Sequence, residues 1–387
     1  MSTISTSWPQ FIFNATRGDV RGLVLNNAGA FVYTTDSATT PSVVLRASNS
    51  NLLRALAIHI RDTDVFPVME LVFPSTADGD YVLEVYVPTQ SLQYLLTAQA
   101  GDTSIAAEVF TNDATVEVKM QATGSGSILV QGGSIQANDL VVEALGSGRV
   151  EIDVQSLFTM SSIDLATNSS GSVALYSAST TTSKLTAATS SSGNVFVGRG
   201  ASTKPNFQAM TVSAHVSGQG DVVMLYAGTC GSSEIQTSGV GTAYLGALAC
   251  RDSKTVLLGD GDIYVVASSS LQSQDSGKGT VYAALQPGAL IAGPFSAMPN
   301  ATVLLPQFTP VAIPDHQTFK NGRHSTMTTG QFACTILSLL VFAGTITGLA
   351  MWAFWAVRRR RRSAKEGQEK FTEISTPTSE TTMVAKM

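Results

Sequence analysis

The sequence predicts an all-β fold, a β-solenoid ectodomain with coils of about 22 residues, joined to one transmembrane α-helix. Three observations carry that prediction. The first is a repeated phrase, Gly followed by alternating polar and apolar residues. It reads GSGSILV, GSGRVEI, SSGSVAL, SSGNVFV, GQGDVVM, GVGTAYL, GDGDIYV and GKGTVYA. Its anchoring glycines are Gly126, Gly148, Gly171, Gly193, Gly220, Gly241, Gly261 and Gly279, at steps of 22, 23, 22, 27, 21, 20 and 18. A period of about 20 residues is too short for a domain and suits one coil of a stack. The second observation is composition. Only 13% of the 387 residues are charged, and the chain is dense in Ser, Thr, Gly, Ala and Val, which favours strands and tight turns over helix. The third is an uncharged run of 26 residues, 332–357, longer than the ~20 a membrane helix needs.

Counting from each glycine defines the coils. Two residues on stand Ile128, Val150, Val173, Val195, Val222, Ala243, Ile263 and Val281; four on stand Val130, Ile152, Leu175, Val197, Met224, Leu245, Val265 and Ala283. Period-two alternation puts both columns on one strand face, which must be buried. One residue after each glycine the column is polar (Ser127, Arg149, Ser172, Asn194, Asp221, Thr242, Asp262, Thr280) and is expected to meet water. A second strand precedes the glycine, with inward pairs Leu140/Val142, Ile163/Leu165, Leu185/Ala187 and Val212/Ala214, and this pattern fades in later coils. The glycine itself is expected at a corner that needs φ > 0. A stack of separate hairpins forming a β-sandwich competes with this reading; the steady spacing favours the solenoid.

Residues 12–110 read as an earlier, less regular part of the same body. An early strand, then SNSNLLRAL, then DYVLEVYVPTQSLQYLLT, then iterated SGxVxL turns resembles the auto-transporter adhesin head (head-GIN) domain family over roughly residues 20–285. The extended strand ending at Val87-Pro88 before a Leu-rich step belongs to that likeness. The resemblance implies a β-helical surface domain and supplies no catalytic residues. The longer coil before Gly220, the apolar helix and the tail depart from the simplest family pattern.

The residues point away from catalysis. His59, His215, His316 and His324 are scattered and form no ligand spacing with cysteine, so no metal or cofactor is expected. No nucleophile elbow, P-loop or HExxH occurs. Arg149, Glu151 and Asp153 share an outward face with Glu143 near it, read as a solvated face with a local salt bridge. Gly259-Asp260-Gly261-Asp262 occurs once, whereas calcium-binding β-rolls need it in tandem, so it reads as a turn. The column three residues after the glycine (Leu129, Glu151, Ala174, Phe196, Val223, Tyr244, Tyr264, Tyr282) should face outward and ends as an aromatic stripe. Phe196, Tyr244, Tyr264 and Tyr282 are therefore the ligand-binding candidates, for stacking on sugar rings or anchoring a protein partner. They can equally be a cross-strand ladder, or be covered by the segment 286–315. Cys230 and Cys250 lie one coil apart and would sit side by side, either bridged or as two small buried residues.

Topology follows from charge. Arg358, Arg359, Arg360, Arg361 and Arg362 follow the apolar run at once, so the positive-inside bias puts the tail in the cytosol and the body outside. The start, 1–19, has neither a charged n-region nor a long apolar core, so the reading expects a leader missing from this start. A tail-anchored protein with a cytosolic body is the alternative. The sequons at Asn14, Asn168 and Asn300 permit glycosylation. The domain plan is then 1–19, an N-terminal segment; 20–285, the solenoid, with regular coils at 126–285; 286–330, a Pro-rich stalk; 331–357, the membrane helix; and 358–387, the cytosolic tail. Gly344 and Gly348 form a GxxxG that allows a homodimer through the helix. The arginine run is expected to bind anionic inner-leaflet lipid; no basic patch outside the tail suits nucleic acid. The function expected is non-catalytic display of an adhesin-like body at the plasma membrane or another secretory-pathway membrane. The alternatives are a carbohydrate-binding or carbohydrate-active β-helix and a receptor signalling through the short tail.

Overall fold

The two aliphatic columns turn inward, as their period requires. The computed structural model describes residues 8–36, 39–199, 206–299 and 306–319. All sixteen column residues are buried, none more than 4% exposed. They stack in parallel register, Ile128 on Val150, Val173, Val195, Val222, Ala243, Ile263 and Val281. The result is an all-β solenoid of about 9 turns of ~22 residues. The strands of each coil pair with those of the coils above and below, and the shared interior is one continuous core.

A coil has three stretches where the sequence showed two. In the strand Ile128–Ala144 the backbone bends at Gly132 and Gly133, both at positive φ, and the register to the next coil breaks between Ala137 and Asp139. The middle stretch lacks a repeating side chain: its inner row runs Ile135, Leu157, Thr180, Phe207, Gly228, Leu248. No column search would detect it. The third stretch fades for a related reason. Its inner row continues from Val212 to Ser233 and Ser253 before Leu271, and the buried Ser233 hydroxyl donates to Ser253 at 2.8 Å. A buried hydroxyl is tolerated there because it is paired.

The anchoring glycines have a different cause from the one expected. They do not adopt positive φ. A Cβ built on Gly148 would lie 2.0 Å from the carbonyl oxygen of Gly126, and one on Gly261 would lie 1.9 Å from that of Gly241. Coil spacing along the stack is fixed by the hydrogen-bond ladder, so the turn carbonyl of one coil occupies the place a side chain would need in the next. A second ladder, including Gly146, Gly239, Gly259 and Gly277, obeys the same constraint two residues earlier.

The first coils are interleaved in sequence. Strand Gly22–Asn26 pairs with Pro67–Val72 on one side and Tyr94–Ala98 on the other. Likewise Phe31–Thr35 lies between Gly79–Pro88 and Thr103–Ala106. Beyond them, antiparallel strands Ser42–Ala47, Gln10–Asn14 and Ala57–Asp62 and the helix Ser50–Ala55 finish that end. Asn49 caps the helix, its side chain accepting the Leu52 N–H. Antiparallel closure removes a parallel edge that would otherwise invite further strands.

Of the expected stalk, 286–330, residues 286–299 and 306–319 are described. Leu290–Ala292 and Ser296–Ala297 add in parallel to the preceding coil. The segment 306–319 then returns to the first coils, where Gln317–Phe319 pairs antiparallel with Gly79–Tyr81. Among the described residues no helix is long and apolar enough to cross a membrane; the expected span 331–357, Gly344 and Gly348, the arginines 358–362 and Asn300 lie outside the described residues.

Candidate functional site

The outer side of the sheet formed by the first stretch of each coil concentrates the features that sequence singled out. Its central row stacks Leu129, Glu151, Ala174, Phe196, Val223, Tyr244, Tyr264 and Tyr282 in register. Alternation does place this row opposite the core, but the row is not open to water. Ala174, Phe196 and Val223 form a second buried cluster with Tyr176, Tyr244 and Phe308 packed against it. Phe308 of the returning segment meets Phe196 edge-on at 5.4 Å and Tyr176 at 6.1 Å. Gly198 makes room for the Tyr176 ring, since a Cβ there would lie 2.7 Å from it.

The four aromatic candidates thus divide. Phe196 is 4% exposed and meets Phe308, so at this position the row is covered by a residue of the segment 286–315. Tyr264 is 8% exposed, stacked on Tyr282 at 4.8 Å and tilted against Tyr244 at 5.5 Å. Tyr244 and Tyr282 are half-buried on either side of it. Desolvation holds the Tyr264 hydroxyl above the usual phenol range, with Asp262 adding to the shift.

Glu151 is likewise not on a solvated face. It is 7% exposed and its Oε2 accepts the Val311 N–H at 2.6 Å. Arg149, expected to pair locally, donates instead to the Thr309 carbonyl at 3.2 Å. Burial pushes the Glu151 carboxyl up, partly offset by the Val311 N–H, and burial also raises Asp153 beside it. Tyr176 is pushed up to about 12 by burial, then by Glu151 and Asp153. Glu143 lies elsewhere, with Lys119 at 3.3 Å and Gln121 donating to it.

Farther along the returning segment, Gln317 is buried and forms two bonds to one peptide: the Asp102 N–H donates to its Oε1 at 3.3 Å and its Nε2 donates to the Asp102 carbonyl at 3.2 Å. A Cβ on Gly29 would lie 2.5 Å from the Asp102 carbonyl oxygen and 2.6 Å from the Gln317 side chain. Phe319 stacks on Tyr81 at 5.0 Å and meets Phe73 at 5.2 Å. His316 contacts Trp8 edge-on at 6.3 Å. These contacts span more than two hundred positions of sequence, and no local pattern announces them.

The polar column after each glycine is not merely wet. Asp102 accepts the Ser127 N–H, Asn194 the Asp221 N–H, Asp221 the Thr242 N–H and Asp262 the Thr280 N–H, at 2.8, 2.7, 2.6 and 2.8 Å. Each short side chain reaches one coil onward and satisfies a turn amide the strand ladder leaves over. Asp262 is therefore occupied as a turn residue, and Asp260 pairs with Lys278 at 3.5 Å. Among the described residues no group of three or more His, Cys, Asp or Glu is placed to hold a metal ion. Cys230 and Cys250 face each other in register and are joined by a disulfide, with Cα atoms 4.4 Å apart. Asn14 and Asn168 are exposed, and Asn168 accepts a hydrogen bond from Ser190 at 3.0 Å.

No curated protein matches the chain. Among solved structures, it is similar to a putative adhesin from Parabacteroides merdae at 15% identity and TM-score 0.41, covering 71% of this chain and 96% of that one. A putative adhesin from Parabacteroides distasonis gives 16% identity and TM-score 0.42, over 72% and 98%. A putative lipid binding protein from the same species gives 14% identity and TM-score 0.41, over 74% and 95%. Within the solenoid, on coils whose glycine ladders and aliphatic columns are described above, residues 198–287 match the family described as "Putative auto-transporter adhesin, head GIN domain".

Proposed function

We propose that this chain is a single-pass surface protein that displays its adhesin-like β-solenoid for adhesion or envelope interaction and performs no catalysis. The observation that carries the reading is the adhesin head match over 198–287, which falls on regular stacked coils. Two features support the surface setting. The Cys230–Cys250 disulfide fits an oxidising compartment, and the uncharged run 332–357 followed by five arginines fits a span with its tail in the cytosol. On this reading the arginine run meets anionic inner-leaflet lipid, Gly344 and Gly348 offer a helix-dimer face, and exposed Asn14 and Asn168 carry glycans.

A tag inserted in the exposed turn at Lys278 tests this in cells making the full chain. The tag should be reachable by antibody on intact cells, and those cells should adhere more than controls. A tag reached only after permeabilisation would end the surface reading. The row of Tyr282 stacked on Tyr264, with Tyr244 tilted against it, favours a glycan as ligand. Replacing Tyr244 and Tyr282 by Ser should then lower binding to immobilised glycans at least several-fold; unchanged binding would reduce the row to a packing ladder.

A further inference from the structure

The segment 306–319 is bound to the solenoid much as a separate peptide would be. Over 306–316 it forms no strand with the coils it crosses. Its contacts are instead discrete and side-chain specific. Phe308 enters the site formed by Phe196 and Tyr176. The Val311 N–H and Thr309 carbonyl engage Glu151 and Arg149. Gln317 reads both polar groups of the Asp102 peptide. Phe319 closes the series against Tyr81 and Phe73. Only Gln317–Phe319 adds as a strand, to the part of Gly79–Pro88 that Phe31–Thr35 leaves unpaired. Side-chain anchors at the two ends of the segment, backbone hydrogen bonds between them and a short strand addition are the means by which extended peptides are recognised.

We propose that this face is an acceptor groove for an extended peptide, filled in cis by residues 306–319, and that the same segment of a second copy is the partner it accepts in trans. The complementarity is already on the page, because the occupant is this chain. Pro306, Pro310 and Pro314 keep the free segment extended, so little conformational freedom is lost when it docks. The acceptor surface has room for these groups: Gly198 leaves space for the Tyr176 ring that Phe308 meets, and the absence of a Cβ at Gly29 admits both the Asp102 carbonyl and the Gln317 side chain. Exchange of an identical element between protomers needs no new surface and proceeds whenever the tethered copy leaves. The tether sets the competition, since a covalently linked segment acts at a high effective concentration.

The test uses the full chain, wild type and with Phe308→Ala plus Phe319→Ala, and a fluorescent peptide of residues 306–319. Hydrogen exchange first verifies that the double variant has released its segment at residues 79–81 and 149–151. The peptide should then bind the variant at least tenfold more tightly than the wild-type chain. A peptide carrying the same two Phe→Ala changes should not bind. Differently labelled wild-type chains should show energy transfer that rises with concentration and is abolished by excess free peptide. A released variant that fails to take the peptide would overturn the groove. Equal binding to both chains would overturn cis occupancy. Peptide binding without peptide-sensitive self-association would overturn the second copy as partner.

Discussion

At Gly193 an added methyl would sit 1.8 Å from the Gly171 carbonyl oxygen, closer than any contact the two coils could keep. Neither coil can retreat without losing its ladder to the coil beyond. We expect Gly193→Ala to cost about 1–3 kcal/mol, as overpacking of a tight interior does. Thermal unfolding beside Gly288→Ala checks the cause: Gly288 has positive φ but nothing within 4 Å, so it should lose only the ~1 kcal/mol of backbone strain. Equal losses would show that space is not the issue. Glu151 offers a second residue-scale test. Its folded pKa is raised above the ordinary 4.5 by burial, so the folded state holds the proton more tightly than the unfolded chain. That contribution is full below the unfolded value and is lost as pH rises through the folded one. Glu151→Gln keeps an oxygen for the Val311 N–H and cannot ionise. The variant's melting temperature should match the wild type below pH 4.5 and exceed it increasingly toward neutral pH; a gap constant with pH would refute the assignment.

Among elements, the two neighbouring strands Gly228–Thr237 and Ala243–Leu257 are held by the ladder and by Cys230–Cys250. The disulfide closes a loop with a sequence separation of 20, for which loop-closure entropy gives about 3 kcal/mol. Cys230→Ser with Cys250→Ser should lower unfolding stability by up to that amount, read from denaturant melts, and reductant should then have no further effect. The inner row beside this pair is polar, with Ser233, Ser253 and Thr255 buried where earlier coils carry aliphatic residues. These coils therefore bury less aliphatic surface on that side than the earlier ones.

Across the molecule, legibility tracked repetition. The sixteen inward positions could be read because each recurs at a fixed offset from a glycine, and every one is buried. The three-stretch cross-section could not, since the middle row passes from Ile135 through Thr180 and Phe207 to Gly228 without a common chemistry. The glycine positions were legible, while their reason was not: conformational freedom and exclusion of Cβ leave the same letter in a sequence. Alternation correctly put Glu151 and Phe196 opposite the core, yet period two does not tell solvent from a covering segment. That segment, 306–319, lies far along the chain from the coils it covers, and nothing local in its sequence marks Phe308, Gln317 and Phe319 as contacts to them.

The interleaving of the first coils has a bearing on synthesis. When residues 22–35 leave the ribosome, both of their flanking partners, 67–88 and 94–106, are still to be made. These strands must wait, their edges unsatisfied, until residues 94–106 have emerged, whereas each later coil can be laid on the one before it. Closure of 317–319 onto 79–81 comes later still. Within the solenoid, the coils made earliest are thus the ones locked last.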